Sequence, residues 1–149
     1  MTRINFSPYN FRIQKSSKGE QIFDPIRKKW ILITPEEWVR QHLIAWMLEH
    51  GYPAGRIAVE KGFSVNGQRK RFDLVLYNDD FHPLLLAECK QPGNLAPAEL
   101  LQQIISYQLQ LRCRFWWISN GTSHYFYDIQ RTPPLLEDVP DYANLIQST

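Results

Sequence analysis

Cysteine, long apolar runs and a signal-type N-terminus are scarce or missing in this chain, and each absence excludes a class of protein. Two cysteines among 149 residues are too few for a scaffold held by disulfides. No apolar run approaches the length of a membrane span, and the first residues lack the apolar segment of a signal peptide. We therefore expect a protein of the reducing cytoplasm with no membrane partner.

Several catalytic and ligand-binding signatures are also missing. The 4 histidines show no metal-ligand spacing with cysteine or with one another. No glycine-rich phosphate loop is present, and no serine lies in the context of a nucleophile elbow. The formal net charge is only +2, so charge alone does not identify a nucleic-acid partner, although it permits a local basic face.

What is present favours one globular domain with a substantial core, since hydrophobic residues make up 44% of the chain. Alternating segments near the N-terminus predict a small antiparallel ribbon, with strands at residues 9–13, 21–24 and 27–33. We therefore divide the chain into an N-terminal β-ribbon extension, residues 1–33, and a main domain, residues 34–149.

The main domain begins with a strong helix start. Thr34 is a capping residue, Pro35 suits the first helical position, and Glu37 follows Thr34 at the capping-box spacing. Gly51 ends this helix. Three strands, a second helix, two strands and a short terminal helix then follow at residues 57–65, 69–77, 84–90, 96–112, 115–119, 123–129 and 141–147. This order predicts an α/β fold with a mixed central sheet flanked by helices.

Three charged residues lie at the ends of two apolar strands. Asp73 belongs to the second predicted strand, and the period of two places Glu88 and Lys90 on one face of the third. Charges at the edge of a core cost desolvation energy unless they bind something or each other. Carboxylates suit Mg²⁺, and the Cys89 carbonyl offers a third oxygen. The trio is a candidate site for phosphodiester hydrolysis, in which Lys90 orients the attacking water or stabilises the transition state.

The same trio has two ordinary explanations. Glu–Lys pairs usually end in solvent as weak ion pairs, and a strand aspartate followed by Glu-x-Lys occurs by chance in many proteins. A buried ion network with a purely structural role is the other alternative. The surrounding order of elements favours the nuclease interpretation.

Asp73, followed fifteen residues later by Glu88-Cys89-Lys90, resembles the PD-(D/E)XK nuclease signature, with Phe72 where the motif has proline. More closely, the chain resembles the N-terminal nuclease domain of type I restriction enzyme R subunits in a short stand-alone form. The resemblance rests on residues 34–41, 51–53, 71–73, 86–90 and 120–121. It implies a restriction-endonuclease-like fold, Mg²⁺ and DNA cleavage.

Gln103 and Tyr107 lie four residues apart on the second helix and so share a face. They resemble the Gln-x-x-x-Tyr element that follows Glu-x-Lys in RecB-like nucleases and type I R subunits. The resemblance implies that they hydrogen-bond the substrate backbone or brace Lys90. The ordinary alternative is a half-buried helix face shared with apolar neighbours.

The first helix offers two candidates for the further acid that nucleases of this group often place there. Glu36 aligns with Val39 and Leu43 on the face expected to pack on the sheet, whereas Glu37 aligns with a less apolar face. We prefer Glu36 as the metal ligand, because a ligand must face inward. Arg40, one turn on, is either its salt-bridge partner or a phosphate contact.

These expectations combine into a Mg²⁺-dependent DNA nuclease, for which Mn²⁺ is a suitable substitute ion. The alternative is a catalytically silent module of the same fold that binds nucleic acid or protein. The Arg27-Lys28-Lys29 cluster either meets phosphates or is a solvated strand end. The ribbon and the aromatic last strand are surfaces on which a homodimer could form, and a partner is expected to supply specificity or motor function.

Overall fold

A computed structural model describes residues 1–149 and contains two β-sheets. The small sheet is the predicted antiparallel ribbon, formed by β1 (Ile13–Ser16), β2 (Gly19–Asp24) and β3 (Lys29–Leu32). The first strand, β1, begins at Ile13, which is the last residue of the strand predicted at residues 9–13. The reason is the tight β1–β2 turn, across which the Ser16 hydroxyl donates to the Gly19 carbonyl at 2.8 Å and so fixes the register.

The main sheet has five strands in the order β4-β5-β6-β7-β8. Their bounds are β4 Ile57–Val65, β5 Gln68–Tyr77, β6 Pro83–Cys89, β7 Phe115–Ser119 and β8 His124–Asp128. Only β6 and β7 pair in parallel, and the intervening chain makes the helical crossover that parallel strands require. The predicted mixed sheet is confirmed, and the apolar strand β6 lies at its centre.

Helix α1 spans Pro35–Glu49, and the Thr34 hydroxyl accepts the Glu37 N–H at 3.1 Å as its cap. Gly51, at φ +86°, ends the helix in the left-handed conformation. A short 3₁₀ turn (Ala54–Arg56) leads into β4. None of the helices has the length and apolar character needed to cross a membrane.

The two faces of the main sheet bury separate apolar clusters. On one face, α1 packs Leu43 and Met47 against strand residues that include Leu85 and Trp117. On the other face, α2 (Pro97–Leu111) contributes Ile104 to a second cluster. The last helix, α3 (Tyr142–Gln147), adds to the first cluster. Helices thus cover both faces, as the α/β prediction requires.

Candidate functional site

The candidate site lies where β5 and β6 diverge, a point called the fork below. Pairing between these strands ends at Leu74 and Ala87. At the next residue, Asp73, a carboxylate oxygen accepts the backbone N–H of Cys89 at 2.8 Å. The aspartate therefore takes the place of a strand–strand hydrogen bond, which explains why a charged side chain can sit at the edge of this core.

Glu88 and Lys90 lie at the same end of β6, as their spacing predicts. Glu88 is 8% exposed, and its carboxylate lies 3.5 Å from the Lys90 ammonium. Lys70 of β5 lies closer to that carboxylate, at 2.7 Å. Sequence reasoning missed Lys70, although alternation along β5 could have revealed it, because Lys70 shares a face with Phe72 and that residue packs on the α2 side.

The electrostatics of the fork follow from burial and from these pairs. Burial raises the pKa of the Asp73 carboxyl, and the negative charge of Glu88 adds to that rise, while the Cys89 N–H and Arg40 oppose it. For Lys70, burial acts to lower the pKa, but the hydrogen bond and charge of Glu88 outweigh it, so the pKa is raised. The two carboxylates are therefore close enough to influence each other.

Gln103 and Tyr107 meet on the side of the sheet that Glu88 faces. The Gln103 amide donates to the Tyr107 hydroxyl at 3.1 Å. Together with Glu88 they line a cavity of about 10 Å³, roughly the space of one water molecule. The structure thus places this helical pair beside the Glu-x-Lys strand, while its role in binding substrate stays a prediction.

The expectation that Glu36 faces inward is wrong. Glu36 is exposed, whereas Glu37 is 6% exposed. Glu37 is held inside by the Arg27 guanidinium at 2.9 Å and by the Gln41 amide at 3.1 Å. Both candidate faces of α1 carry buried residues, Val39 and Leu43 on one and Gln41 and Ile44 on the other. The polar partners of Glu37 therefore decide which acid is enclosed. Glu36, in the first turn, projects into solvent.

Arg40 joins the first helix to the fork. Its guanidinium donates to the Asp73 carboxylate at 2.8 Å and lies 3.4 Å from Glu37. It forms no ion pair with Glu36, and its side chain is only 7% exposed. Arg27, proposed from sequence as a phosphate contact or a solvated end, is instead enclosed in the same network with Glu60 of β4.

Asp73 and Glu88 are the residues that fit a divalent cation. No group of three or more histidine, cysteine or acidic side chains converges with metal-binding geometry. Mg²⁺ commonly takes one or two carboxylates and completes its shell with water and substrate oxygens, so this pair of hard oxygen donors suits it. The Cys89 carbonyl as a third ligand stays a prediction.

Comparison with known proteins bears on the fold and on the family of this chain. A search of curated proteins found no significant match. A solved fragment assigned as an HsdR subunit of a type I restriction enzyme from Vibrio vulnificus YJ016 superposes with a TM-score of 0.57 at 22% identity. The match covers 77% of this chain but only 25% of that chain. The likeness at this level of identity concerns the fold.

A second solved structure, assigned as a nuclease of the DUF820 group from Anabaena variabilis ATCC 29413, gives a TM-score of 0.46 at 10% identity. That match covers 79% of this chain and 76% of the other. The restriction-endonuclease-like fold and the PD-(D/E)XK resemblance inferred from the sequence are confirmed. Residues 35–141 match the family model described as type I restriction enzyme R protein N terminus, and the chain belongs to that family.

Proposed function

We propose that this chain is a Mg²⁺-dependent DNA nuclease, with Mn²⁺ as a substitute ion. The observation that carries the proposal is at the fork, where the Asp73 carboxylate accepts the backbone N–H of Cys89 and the flanking side chains of Glu88 and Lys90 lie 3.5 Å apart. Gln103 and Tyr107 support it, because they line the same small cavity as Glu88. Charged groups so placed in a partly buried strand end are typical of functional sites.

The residues have distinct roles in this proposal. Bound Mg²⁺ would neutralise charge on the phosphate and make a bound water more acidic. Asp73 and Glu88 would hold the ion. Lys90, whose side chain is 43% exposed, reaches solvent and would stabilise negative charge on the reacting phosphate. The Gln103–Tyr107 pair would hydrogen-bond the substrate backbone beside Glu88.

The charge distribution supports a polyanionic substrate. Residues 1–72 contain 13 basic and 6 acidic residues, whereas residues 73–149 contain 4 basic and 9 acidic ones. Exposed basic side chains without an acidic partner lie on the ribbon and on the β4–β5 hairpin; they include Lys28, Lys29, Lys61, Arg69 and Arg71. Because β4 is an edge strand and Lys70 links its hairpin to Glu88, this basic edge is continuous with the fork.

Cleavage of linear, circular, nicked and single-stranded DNA, each with Mg²⁺ and with Mn²⁺, tests the proposal. We expect Glu88→Ala and Lys90→Ala to lose cleavage while their thermal unfolding stays cooperative. Glu137→Ala is the matched control, because that side chain is 91% exposed and lies outside the fork. Metal-dependent cleavage at the wild-type rate in Glu88→Ala would contradict the proposal.

One observation favours a second candidate, a catalytically silent module that binds nucleic acid or protein. Both fork carboxylates are held by cations, Asp73 by Arg40 and Glu88 by Lys70. If the site is silent, the protein will bind duplex DNA in EDTA, or a partner protein, and leave every DNA substrate intact with either metal. A homodimer, or a partner with motor or specificity functions, would serve either candidate.

A further inference from the structure

Glu60 has an unusual backbone conformation for its position. It lies in the middle of β4 at φ +57°, in the left-handed region that non-glycine residues rarely adopt within a strand. Its neighbours Val59 and Lys61 pair with Leu74 and Phe72, so Glu60 stands directly opposite Asp73. Strained residues of this kind tend to lie at functional sites.

The alternation of β5 breaks at the same place. Phe72 packs in the cluster on the α2 side, whereas Leu74 packs in the cluster on the α1 side. Strict alternation would put both on one face. The strand therefore rotates around Asp73, and this rotation turns the aspartate toward Arg40 of α1.

Arg40 lies among three carboxylates that compete for one guanidinium. Its Nη2 atom is 2.8 Å from Asp73, while its Nη1 atom is 3.4 Å from Glu37 and 3.6 Å from Glu60. Both Nη1 and Nε are buried without a hydrogen-bond partner. The guanidinium thus has an unused donor, Nη1, that lies near two acids other than the one it binds.

The network as a whole carries excess negative charge. It contains four carboxylates, those of Asp24, Glu37, Glu60 and Asp73, and two guanidiniums, those of Arg27 and Arg40. With Glu88, Lys70 and Lys90 of the fork included, five carboxylates face four cations, so one negative charge is uncompensated. A divalent cation at Asp73 would add positive charge there, and it would repel the Arg40 guanidinium that now holds the same carboxylate.

We propose that Arg40 is a displaceable counter-ion of Asp73, and that Glu60 receives its guanidinium when a divalent cation binds at the fork. This rests on the proposed metal site and adds two positioning residues to it. The move is short, because Nη1 already lies 3.6 Å from Glu60. Glu60, with 43% of its side chain exposed, has the freedom to close that gap.

Calorimetric titration of the full chain with MnCl₂ tests the role of Glu60. Glu60→Gln keeps the side-chain shape but is a poorer acceptor for a guanidinium, so Arg40 stays on Asp73. We expect Mn²⁺ affinity to fall about fivefold, as loss of one charge-assisted hydrogen bond implies. Glu36→Gln, an exposed acid at the start of the same helix, should bind Mn²⁺ as the wild type does. Wild-type affinity in Glu60→Gln would overturn the proposal.

Arg40 distinguishes displacement from simple support of the site. If Arg40 competes with the ion, Arg40→Gln will bind Mn²⁺ more tightly, by about threefold. If Arg40 only holds Asp73 in place, the same variant will bind more weakly, and the proposal fails. Should Arg40→Gln not fold, Arg40→Met gives the same test, because it also removes the competing charge and keeps an unbranched side chain of similar length.

A double-mutant cycle separates the Arg40 route from a general loss of charge. In the Arg40→Gln background, Glu60→Gln should no longer weaken Mn²⁺ binding, since the guanidinium it receives is gone. An unchanged fivefold loss in that background would mean that Glu60 acts directly on the ion, and would overturn the proposal. Failure of the metal site itself has a different signature: the wild type would bind no Mn²⁺ at all, and both proposals would fall.

Discussion

Asp24 offers the sharpest test of how the ribbon is attached to the main domain. Its side chain is fully buried. One carboxylate oxygen accepts the backbone N–H groups of Ile26 and Arg27, at 2.7 and 2.8 Å. The other accepts the Arg27 side chain at 2.7 Å and the Gln41 amide of α1 at 3.0 Å. One carboxylate thus shapes the β2–β3 turn and fastens it to the first helix.

Replacing Asp24 by alanine removes four hydrogen bonds and leaves Arg27 with only Glu37 and Glu60 nearby. Loss of one member of a buried ion pair typically costs about 3–5 kcal/mol, so we expect unfolding free energy to fall by that amount. For a chain of this size the melting temperature should drop by about 10 °C. Urea unfolding followed by circular dichroism measures the first quantity, and thermal unfolding the second.

Asp80→Ala is the control, because that aspartate is exposed in the β5–β6 loop. The pH dependence adds a second check. Burial acts to raise the pKa of Asp24, but the hydrogen bonds from Arg27 and Ile26 outweigh it and lower the pKa. Its stabilisation is therefore complete above the ordinary aspartate pKa and is lost as pH falls through the folded-state value. A loss below about 1 kcal/mol in Asp24→Ala would refute the idea that this carboxylate anchors the ribbon.

Two further predictions concern proton uptake and DNA binding. Burial lowers the pKa of His124 to about 4, so the unfolded chain binds a proton at this imidazole more readily than the folded chain does. The free energy of unfolding should therefore fall by roughly 2–3 kcal/mol as pH drops from 7 toward 4. We expect a smaller fall in His124→Gln. An equal decline in His124→Gln, measured in urea at each pH, would assign it to other groups. The double variant Arg69→Gln, Arg71→Gln should bind duplex DNA with a weaker salt dependence. Two lost phosphate contacts should reduce the slope of log K against log salt by about 1.8, which fluorescence anisotropy measures. Arg131→Gln, an exposed arginine that follows β8 at the opposite edge of the sheet, should leave the slope unchanged. A double variant with the wild-type slope would show that the hairpin does not touch the DNA backbone.

The features that local chemistry determines could be predicted from the sequence. Thr34 caps α1 because its hydroxyl meets an N–H three residues away, and Asn66-Gly67 makes a tight hairpin turn with both residues at positive φ. Short runs of apolar residues likewise predicted the strands β6 and β7. The positions of Asp73, Glu88 and Lys90 followed from strand periodicity.

The partners of the site residues could not be predicted, because they depend on long-range contacts. The expectation that Glu36 faces inward was wrong, since enclosure of Glu37 in its place depends on Arg27, which lies outside the first helix. Glu60 joins the network only because its backbone departs from strand geometry. A glutamate in a predicted strand gives no indication of a positive φ, since residues other than glycine rarely adopt one. Alternation along β5 indicates the face on which Lys70 lies, but its contact with Glu88 depends on the register between β5 and β6, which the sequence does not state.

The unequal distribution of charge has a kinetic consequence. The basic residues lie on the ribbon and on the hairpin at the β4 edge, while Glu137, Asp138 and Asp141 follow β8 at the opposite edge. Such a molecule behaves as an electric dipole, and the field of a polyanion rotates it before contact. For the DNA substrate proposed above, encounters would therefore begin with the fork already turned toward the incoming strand. The gain in association rate fades as salt shortens the reach of the field to about 10 Å at 0.1 M.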